Sequence, residues 1–324
     1  MSIPFVTLDD AHYGECLEVA PGLRRVIAKN PSKFSYRGTG TYLVGRGDVA
    51  VIDPGPNLPA HQEALLRALD GERVAAILVT HCHSDHSPAA AWLKEVTGAP
   101  TIAYGPHLVD PDWVEDDSGD VVDDLDDEDE DDEPEDPDAV KVEEATDLAF
   151  TPDVTVRTGD LAAEGDGWSL RAVHTPGHTS NHTCFWMPEQ RALFSGDHIM
   201  GWSTTVIAPP DGDMSAYFDS LRLVQGYDPA ILWPTHGSPV TDVAPFIDAF
   251  IEHRLQREAG VLRCVRDGVA LVPDMVKRLY VGTHKKLYKA AGRSVLAHLL
   301  KLQRDGLVTY EGLHPGVTTP WRPL

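Results

Sequence analysis

Hydrophobic and polar positions along this chain come in short blocks punctuated by glycine and proline. β-Branched and aromatic residues predict strands over Leu23–Ile27, Gly40–Val44 and Val49–Ile52. Asp53-Pro-Gly-Pro56 reads as a turn, and Leu58–Leu69 as an amphipathic helix. Val74–Val79 is a buried-strand pattern that leads through Thr80 into His81. Ser87–Thr97 is helical, with Ser87 and Pro88 as its start, and Thr101–Tyr104 is a further strand. After an interruption the pattern resumes with strands at Val154–Val156, Trp168–Val173, Thr183–Trp186 and Ala192–Phe194. A helix over Asp213–Val224 and a strand at Ile231–Trp233 complete it. Strands and helices in this order in both halves predict the α/β class. Two sheets packed together with helices outside make an αββα sandwich.

From Pro245 the pattern is mostly helical: Phe246–Val265, Pro273–Tyr280 and Ser294–Arg304, then a short strand at Leu307–Tyr310. Three helices followed by a β-wing are the winged-helix outline. The expected division is therefore a sandwich domain over 1–244 and a small winged-helix-like domain over 245–324. No apolar run approaches the ~18 residues a membrane span needs. Met1–Cys16 has acids but no basic-then-apolar order, so no secretory signal is expected there. Four dispersed cysteines without a CxxC pair fit a reducing, cytoplasmic setting.

Charge changes the picture in two places. Of the formal −24, the run 110–147 supplies −21, from 22 acidic residues and Lys141. The rest of the chain is close to neutral. Such a run repels itself and has little to bury, so a disordered, solvated insert is expected. Its functional alternatives are a tract for a basic partner and a screen against polyanions. In contrast, Glu252–Gly306 carries 12 basic against 5 acidic residues. Arg254, Arg257, Arg263, Lys285, Lys286, Lys289, Arg293 and Lys301 could face a polyanion such as nucleic acid. The competing readings are a cationic helical face over a small core, and a dimerisation or pocket-closing module.

The chemistry is concentrated in His81-Cys-His-Ser-Asp-His86. Three imidazoles and a carboxylate at the end of a buried strand let His81 and His83 share one ion, while Asp85 and His86 turn toward a second. His174-Thr-Pro-Gly-His178, Ser195-Gly-Asp197-His198 and Pro234-Thr-His236-Gly237 each follow a predicted strand and each offer a possible ligand. Imidazole and carboxylate suit zinc, or iron or manganese. His12, His61, His107 and His314 stand apart and read as ordinary core or surface histidines.

HxHxDH, then a Gly-His turn, then Ser-Gly-Asp, then Thr-His-Gly, resembles the metallo-β-lactamase superfamily over roughly residues 20–250. The resemblance implies that His81, His83 and His178 bind a first metal, that Asp85, His86 and His236 bind a second, and that Asp197 bridges. It also implies two Zn2+, or iron or manganese in their place, with a bridging hydroxide as nucleophile and Asp85 as the catalytic carboxylate that orients it and shuttles its proton. Asp53 resembles the aspartate that orients a ligand histidine, and His182 a supporting histidine or a hydrogen bond within its own turn. His174 and His198 would be neighbours of the site.

Within the superfamily, Asn30-Pro-Ser-Lys-Phe-Ser-Tyr-Arg-Gly-Thr-Gly-Thr-Tyr-Leu-Val-Gly45, the stretch Phe194–Val206 and the tail resemble the β-lactamase-like endoribonuclease branch. One departure is Gly40, where that branch carries asparagine. The expected function is a dinuclear metal-dependent hydrolase, as an endoribonuclease on single-stranded RNA or, alternatively, a glyoxalase-II-like hydrolase of a small ester, thioester or lactone. A third reading is a binding or scaffold protein that uses the acidic insert. Trp202, Ser203, Thr204 and Thr205 follow the bridging aspartate and are candidate pocket residues. A homodimer is compatible with the tail; a membrane partner is not expected.

Overall fold

The computed structural model describes residues 3–8, 10–108, 145–282, 284, 287–312 and 315–324. The acidic run up to residue 144, together with Lys285, Lys286 and His314, lies outside the described residues.

A seven-stranded sheet runs β1 (Cys16–Ala20), β2 (Leu23–Ile27), β3 (Gly40–Val44), β4 (Asp48–Ile52), β5 (Arg73–Leu78), β6 (Thr101–Ala103) and β7 (Val154–Thr155), in chain order. Pairing is antiparallel from β1 to β4 and parallel from β4 to β7. The helix α1 (Pro59–Ala68) connects β4 to β5, and α2 (Ala89–Thr97) connects β5 to β6. A second, five-stranded sheet contains β8 (Leu161–Gly165), β9 (Trp168–His174), β10 (Thr183–Met187), β11 (Ala192–Gly196) and β12 (Ile231–Pro234), in the order β12-β11-β10-β9-β8. The helix α3 (Met214–Tyr227) crosses from β11 to the parallel β12.

Alternation along the strands explains the layers. Leu170, Ala172, Phe185, Ala192 and Phe194 face the first sheet, and meet Tyr42, Val44, Ile52 and Leu78 there. The intervening Val173, Cys184 and Leu193 face outward onto Tyr217, Phe218 and Leu221 of α3. On the other side, Leu43, Val49, Val51 and Ile77 pack on Ala64, Leu65, Ala90 and Leu93 of the first two helices. This is the αββα sandwich read from the sequence. Three strands escaped that reading: β1 is an exposed edge, β8 is Leu-Ala-Ala-Glu-Gly with little β-propensity, and the last lies near the C-terminus.

The remaining chain forms α4 (Val243–Arg266), α5 (Val272–Leu279), α6 (Tyr288–Arg304) and a hairpin of β13 (Val308–Tyr310) with β14 (Trp321–Pro323). The change of core falls inside α4, not at the 244/245 boundary drawn from sequence. Val243, Phe246, Ile247 and Phe250 pack into the sandwich, whereas Val261, Cys264 and Val265 pack with Met275, Leu299 and Trp321. One apolar helical stripe therefore serves two cores. Trp321 is 2% exposed and lies 5.0 Å from Tyr310 between ring centroids. Trp321→Ala is expected to cost about 3–5 kcal/mol in the smaller core, read as a lowered urea midpoint by circular dichroism. No helix among the described residues is long and apolar enough to cross a membrane.

Candidate metal centre

The proposed ligands arrive from strand ends of both sheets. The loop after β5 brings His81, His83, Asp85 and His86, the turn between β9 and β10 brings His178, and β11 and β12 end just before Asp197 and His236. All seven are brought together, and three groups lie close enough to hold a metal ion: His81, His83 and His178; His81, His86 and Asp197; Asp85, His86 and His236. His83 Nδ1 lies 3.0 Å from His81 Nε2 and 3.2 Å from His178 Nε2. Three ligands about 2.0–2.1 Å from one tetrahedral ion would be about 3.3 Å apart. His236 Nε2 lies 3.2 Å from Asp85 Oδ2 and 3.4 Å from Asp197 Oδ2. His86 Nε2 faces the same carboxylates at 3.4 and 3.7 Å.

The residues fit metal ions on a second count. His86 Nε2 and Asp197 Oδ1 are buried without a hydrogen-bond partner among the described residues. Buried polar atoms are seldom left so.

The outward nitrogens are fixed by acceptors, which sets the tautomers. Asp53 leaves β4 with a φ of 49°, which aspartate tolerates better than most residues. Its Oδ2 accepts from His86 Nδ1 at 3.0 Å, and from the Thr80 and Thr235 hydroxyls at 2.8 Å each. Thr80 Oγ1 in turn accepts from His81 Nδ1 at 3.0 Å. His178 Nδ1 donates to the Val206 carbonyl at 2.7 Å, and His236 Nδ1 to the Gly38 carbonyl at 3.2 Å. Each of these four histidines keeps Nε2 free toward the cluster.

Burial, with the neighbouring imidazoles, pushes His81 well down and His83 to about 3; burial also lowers His178. These are neutral, ligand-ready rings. For His236 burial works downward but Asp197 and Asp85 overcome it, raising it to about 10; for His86 Asp85, Asp197 and Asp53 do the same. Conversely, burial would raise Asp85 and Asp197, but His86 and His236 hold both below the usual carboxylate range.

His182 serves the turn and the cluster alike. Its ring meets the Thr175 hydroxyl at 2.9 Å and its Nε2 accepts from the Asp197 amide at 3.2 Å. His174 stacks on Tyr104 and His198 packs edge-on against Tyr217, both outside the cluster. His61 lies behind the site, with Nε2 2.9 Å from Thr41 Oγ1. A Cβ at Gly40 would come within 3.0 Å of the Thr235 carbonyl oxygen and 3.1 Å of Arg25 Cδ. Arg25 occupies that space and donates to the Gly237 carbonyl at 2.9 Å, beside His236.

Two cavities flank the cluster. A cavity of about 670 Å³ reaches His83 and His178, with Phe34, Leu108, Leu148, Val206 and Leu287 among its walls. A pocket of about 10 Å³ touches Asp85, Asp197 and His236, and Phe34 lines both. The loop after Asp197 meets the large cavity through Val206 and Ala208–Asp211, whereas Trp202 stacks on Tyr36 with centroids 4.7 Å apart. Sequence reasoning missed His107, which lines the large cavity 3.5 Å from Asp211. It also missed a relay in which Asn30 donates to Thr39, and Thr39 donates to Asp85 Oδ2 at 3.0 Å.

Comparison with known proteins identifies the family and the fold. Residues 37–236 match the metallo-beta-lactamase superfamily, and 272–316 match the beta-lactamase associated winged helix domain. A beta-lactamase-like protein 2 homolog of Drosophila melanogaster is 32% identical, over 87% of this chain and 88% of its own length. An atrochrysone carboxyl ACP thioesterase of Aspergillus chevalieri is 28% identical, over 90% and 84%. A beta-lactamase domain protein from Burkholderia ambifaria shares the fold, with a TM-score of 0.74 at 22% identity over 98% of this chain and 95% of its own. With the strand ends that carry the histidine and aspartate cluster inside the matched region, this chain belongs to the metallo-beta-lactamase superfamily.

Proposed function

We propose that the protein is a metal-dependent hydrolase of thioesters or esters with an apolar acyl group. His81, His83 and His178 hold one ion, Asp85, His86 and His236 a second, and Asp197 is shared. Bound there, the ions, zinc in the first instance, supply Lewis acidity and acidify water. The chain's own residues supply the rest. The small pocket beside Asp85 is on the scale of one water. Thr39 and His236 engage Asp85 Oδ2, and Oδ1, 3.4 Å from His86 Nε2, is the oxygen that takes a proton from that water. The scissile carbonyl lies between that pocket and the large cavity, beside Phe34.

The observation that carries this reading is the apolar part of the wall that begins at His83 and His178, formed by Phe34, Leu108, Leu148, Val206 and Leu287, alongside a polar part with Lys33, Lys289 and Arg293. The thioesterase name of a relative matched over nine-tenths of this chain supports it. So does the acidic run: Leu108 and Thr146, on either side of 109–144, both line the cavity, and that stretch carries 21 acidic residues and one lysine. Such a charge disfavours a polyanion nearby. The test is release of free thiol from acyl thioesters of increasing chain length by metal-loaded protein. Turnover should rise with acyl length until the cavity is filled and should vanish with chelator. Equal turnover of acetyl and long-chain thioesters would remove the apolar-wall argument.

One observation favours the second reading, cleavage of single-stranded RNA. Lys289 and Arg293 of α6 are exposed, line the same cavity as Lys33, and have no ion-pair partner among the described residues. The double substitution Lys289→Glu/Arg293→Glu separates the readings. If RNA is the substrate, kcat/KM on a labelled strand should fall at least tenfold in low salt, and its salt dependence should flatten by about 0.7 per lost phosphate contact. If the substrate is an uncharged thioester, turnover should stay within twofold.

A further inference from the structure

We infer that Arg254, carried on the helix shared with the smaller core, is a positioning residue of the metal centre. Arg254 is 4% exposed, and no carboxylate pairs with it among the described residues. A buried cation without a counter-charge is costly unless strong hydrogen bonds replace water. Its guanidinium makes its close hydrogen bond to one loop, a weaker one to α6, and leaves Nε without a partner among the described residues. Nη2 donates to the Thr205 carbonyl, Nη1 reaches Ser294 Oγ of α6 at 3.5 Å, and the Tyr217 ring lies 5.5 Å away.

That loop is tied to two of the proposed ligands. Thr205 Oγ1 donates to the Asp197 carbonyl at 2.8 Å and to the His198 carbonyl at 3.0 Å. The next residue, Val206, offers the carbonyl that accepts from His178 Nδ1 at 2.7 Å. Tyr217, under the guanidinium, donates to the His198 carbonyl at 2.9 Å. Arg254 thus fixes one peptide whose two sides orient His178 and the strand end bearing Asp197. The helical segment is in this way built into the support of the metal centre, in addition to lining the cavity. The inference rests on His178 and Asp197 being ligands.

The test is metal uptake by chelator competition, beside kcat and KM, for wild type, Arg254→Met, Arg254→Lys and Thr205→Val in the full chain. Outer hydrogen-bond partners of ligands are worth about 10–100-fold in metal affinity. Arg254→Met is expected to lose affinity in that range, with kcat falling and KM within twofold, and excess zinc restoring most of kcat. Arg254→Lys should recover part of the affinity, and Thr205→Val should reproduce the loss from the other end of the link. A merely structural role would lower the melting temperature without zinc rescue. Wild-type affinity in Arg254→Met would overturn the inference, as would wild-type affinity in both Arg254→Lys and Thr205→Val if Arg254→Met does not fold. A wild-type chain that takes up no ion would overturn the ligand reading first and this inference with it.

Discussion

Asp85→Asn is expected to lower kcat by about 10²–10⁴-fold, the range for loss of a general base, while leaving the fold unchanged. Asparagine matches aspartate in size, and its amide oxygen can still accept the Thr39 hydroxyl that now meets Oδ2 at 3.0 Å. What it cannot do is take a proton or balance charge. Asp85 faces His236 Nε2 at 3.2 Å and His86 Nε2 at 3.4 Å, so the substitution removes one of the two carboxylates serving both rings. Circular dichroism should match wild type, the melting temperature of the metal-free protein should fall because His86 and His236 lose one of their buried partners, and the loss of activity should appear in kcat on the thioester series. A variant within tenfold of wild type would show that the proton goes elsewhere. Thr39→Val is the companion case. It leaves the carboxylate but removes its orienting donor, so a smaller loss is expected.

The parts of the centre that were legible in the sequence share one property: they are local. His81 to His86 fall within six residues, and His178, Asp197 and His236 each sit in a short glycine-containing turn after a strand. A strand end is where a side chain leaves the ladder and points into a cleft, so spacing marks these turns as candidates, and the family resemblance says which residue in each is the implied ligand. Asp53, the residue after β4, was legible through its resemblance to the family's orienting aspartate.

What was not legible is assembled across the sheets. The Asn30–Thr39–Asp85 relay joins positions up to 55 apart in the chain, and nothing periodic marks Thr39. His107 read as an ordinary core or surface histidine because the residues that share its cavity, His83, His178 and Asp211, come from three other loops. Arg254 counted as one of several cations on a basic tail, yet it points inward to Thr205 while Lys289 and Arg293 remain outside. Charge counting could not separate them, because burial is set by the helix stripe that α4 shares between two cores. The same stripe explains why the boundary drawn at 244/245 misses the point at which the packing changes.

The two halves of the centre should differ in how protons compete with metal. His83 is pushed to about 3, and His81 and His178 also lie below the ordinary imidazole value, so these three rings carry no proton to lose at pH 7. His236 is raised to about 10, and His86 is also well above the ordinary value. In the metal-free protein both therefore hold a proton among the carboxylates. An ion proposed to sit at Asp85, His86 and His236 must displace two protons; one at His81, His83 and His178 displaces none. Because the raised groups are protonated below their pKa, lowering the pH strengthens the competitor. Affinity at the carboxylate-rich half should fall about tenfold per pH unit for the proton on His236, roughly 10²-fold from pH 8 to pH 6, and further with the proton on His86. The three-histidine half should change less than tenfold over the same interval. Calorimetry in two buffers of different ionisation enthalpy gives the count directly: close to zero protons for the tighter ion and close to two for the weaker at pH 7. The hydrolase should then pass through a singly loaded form on acidification, losing activity with the second ion. Equal proton release from both ions would mean that His86 and His236 are neutral before metal arrives. The attraction between these rings and Asp85 and Asp197 would then be too weak to hold a proton, and the division of the centre into two unequal halves would fail.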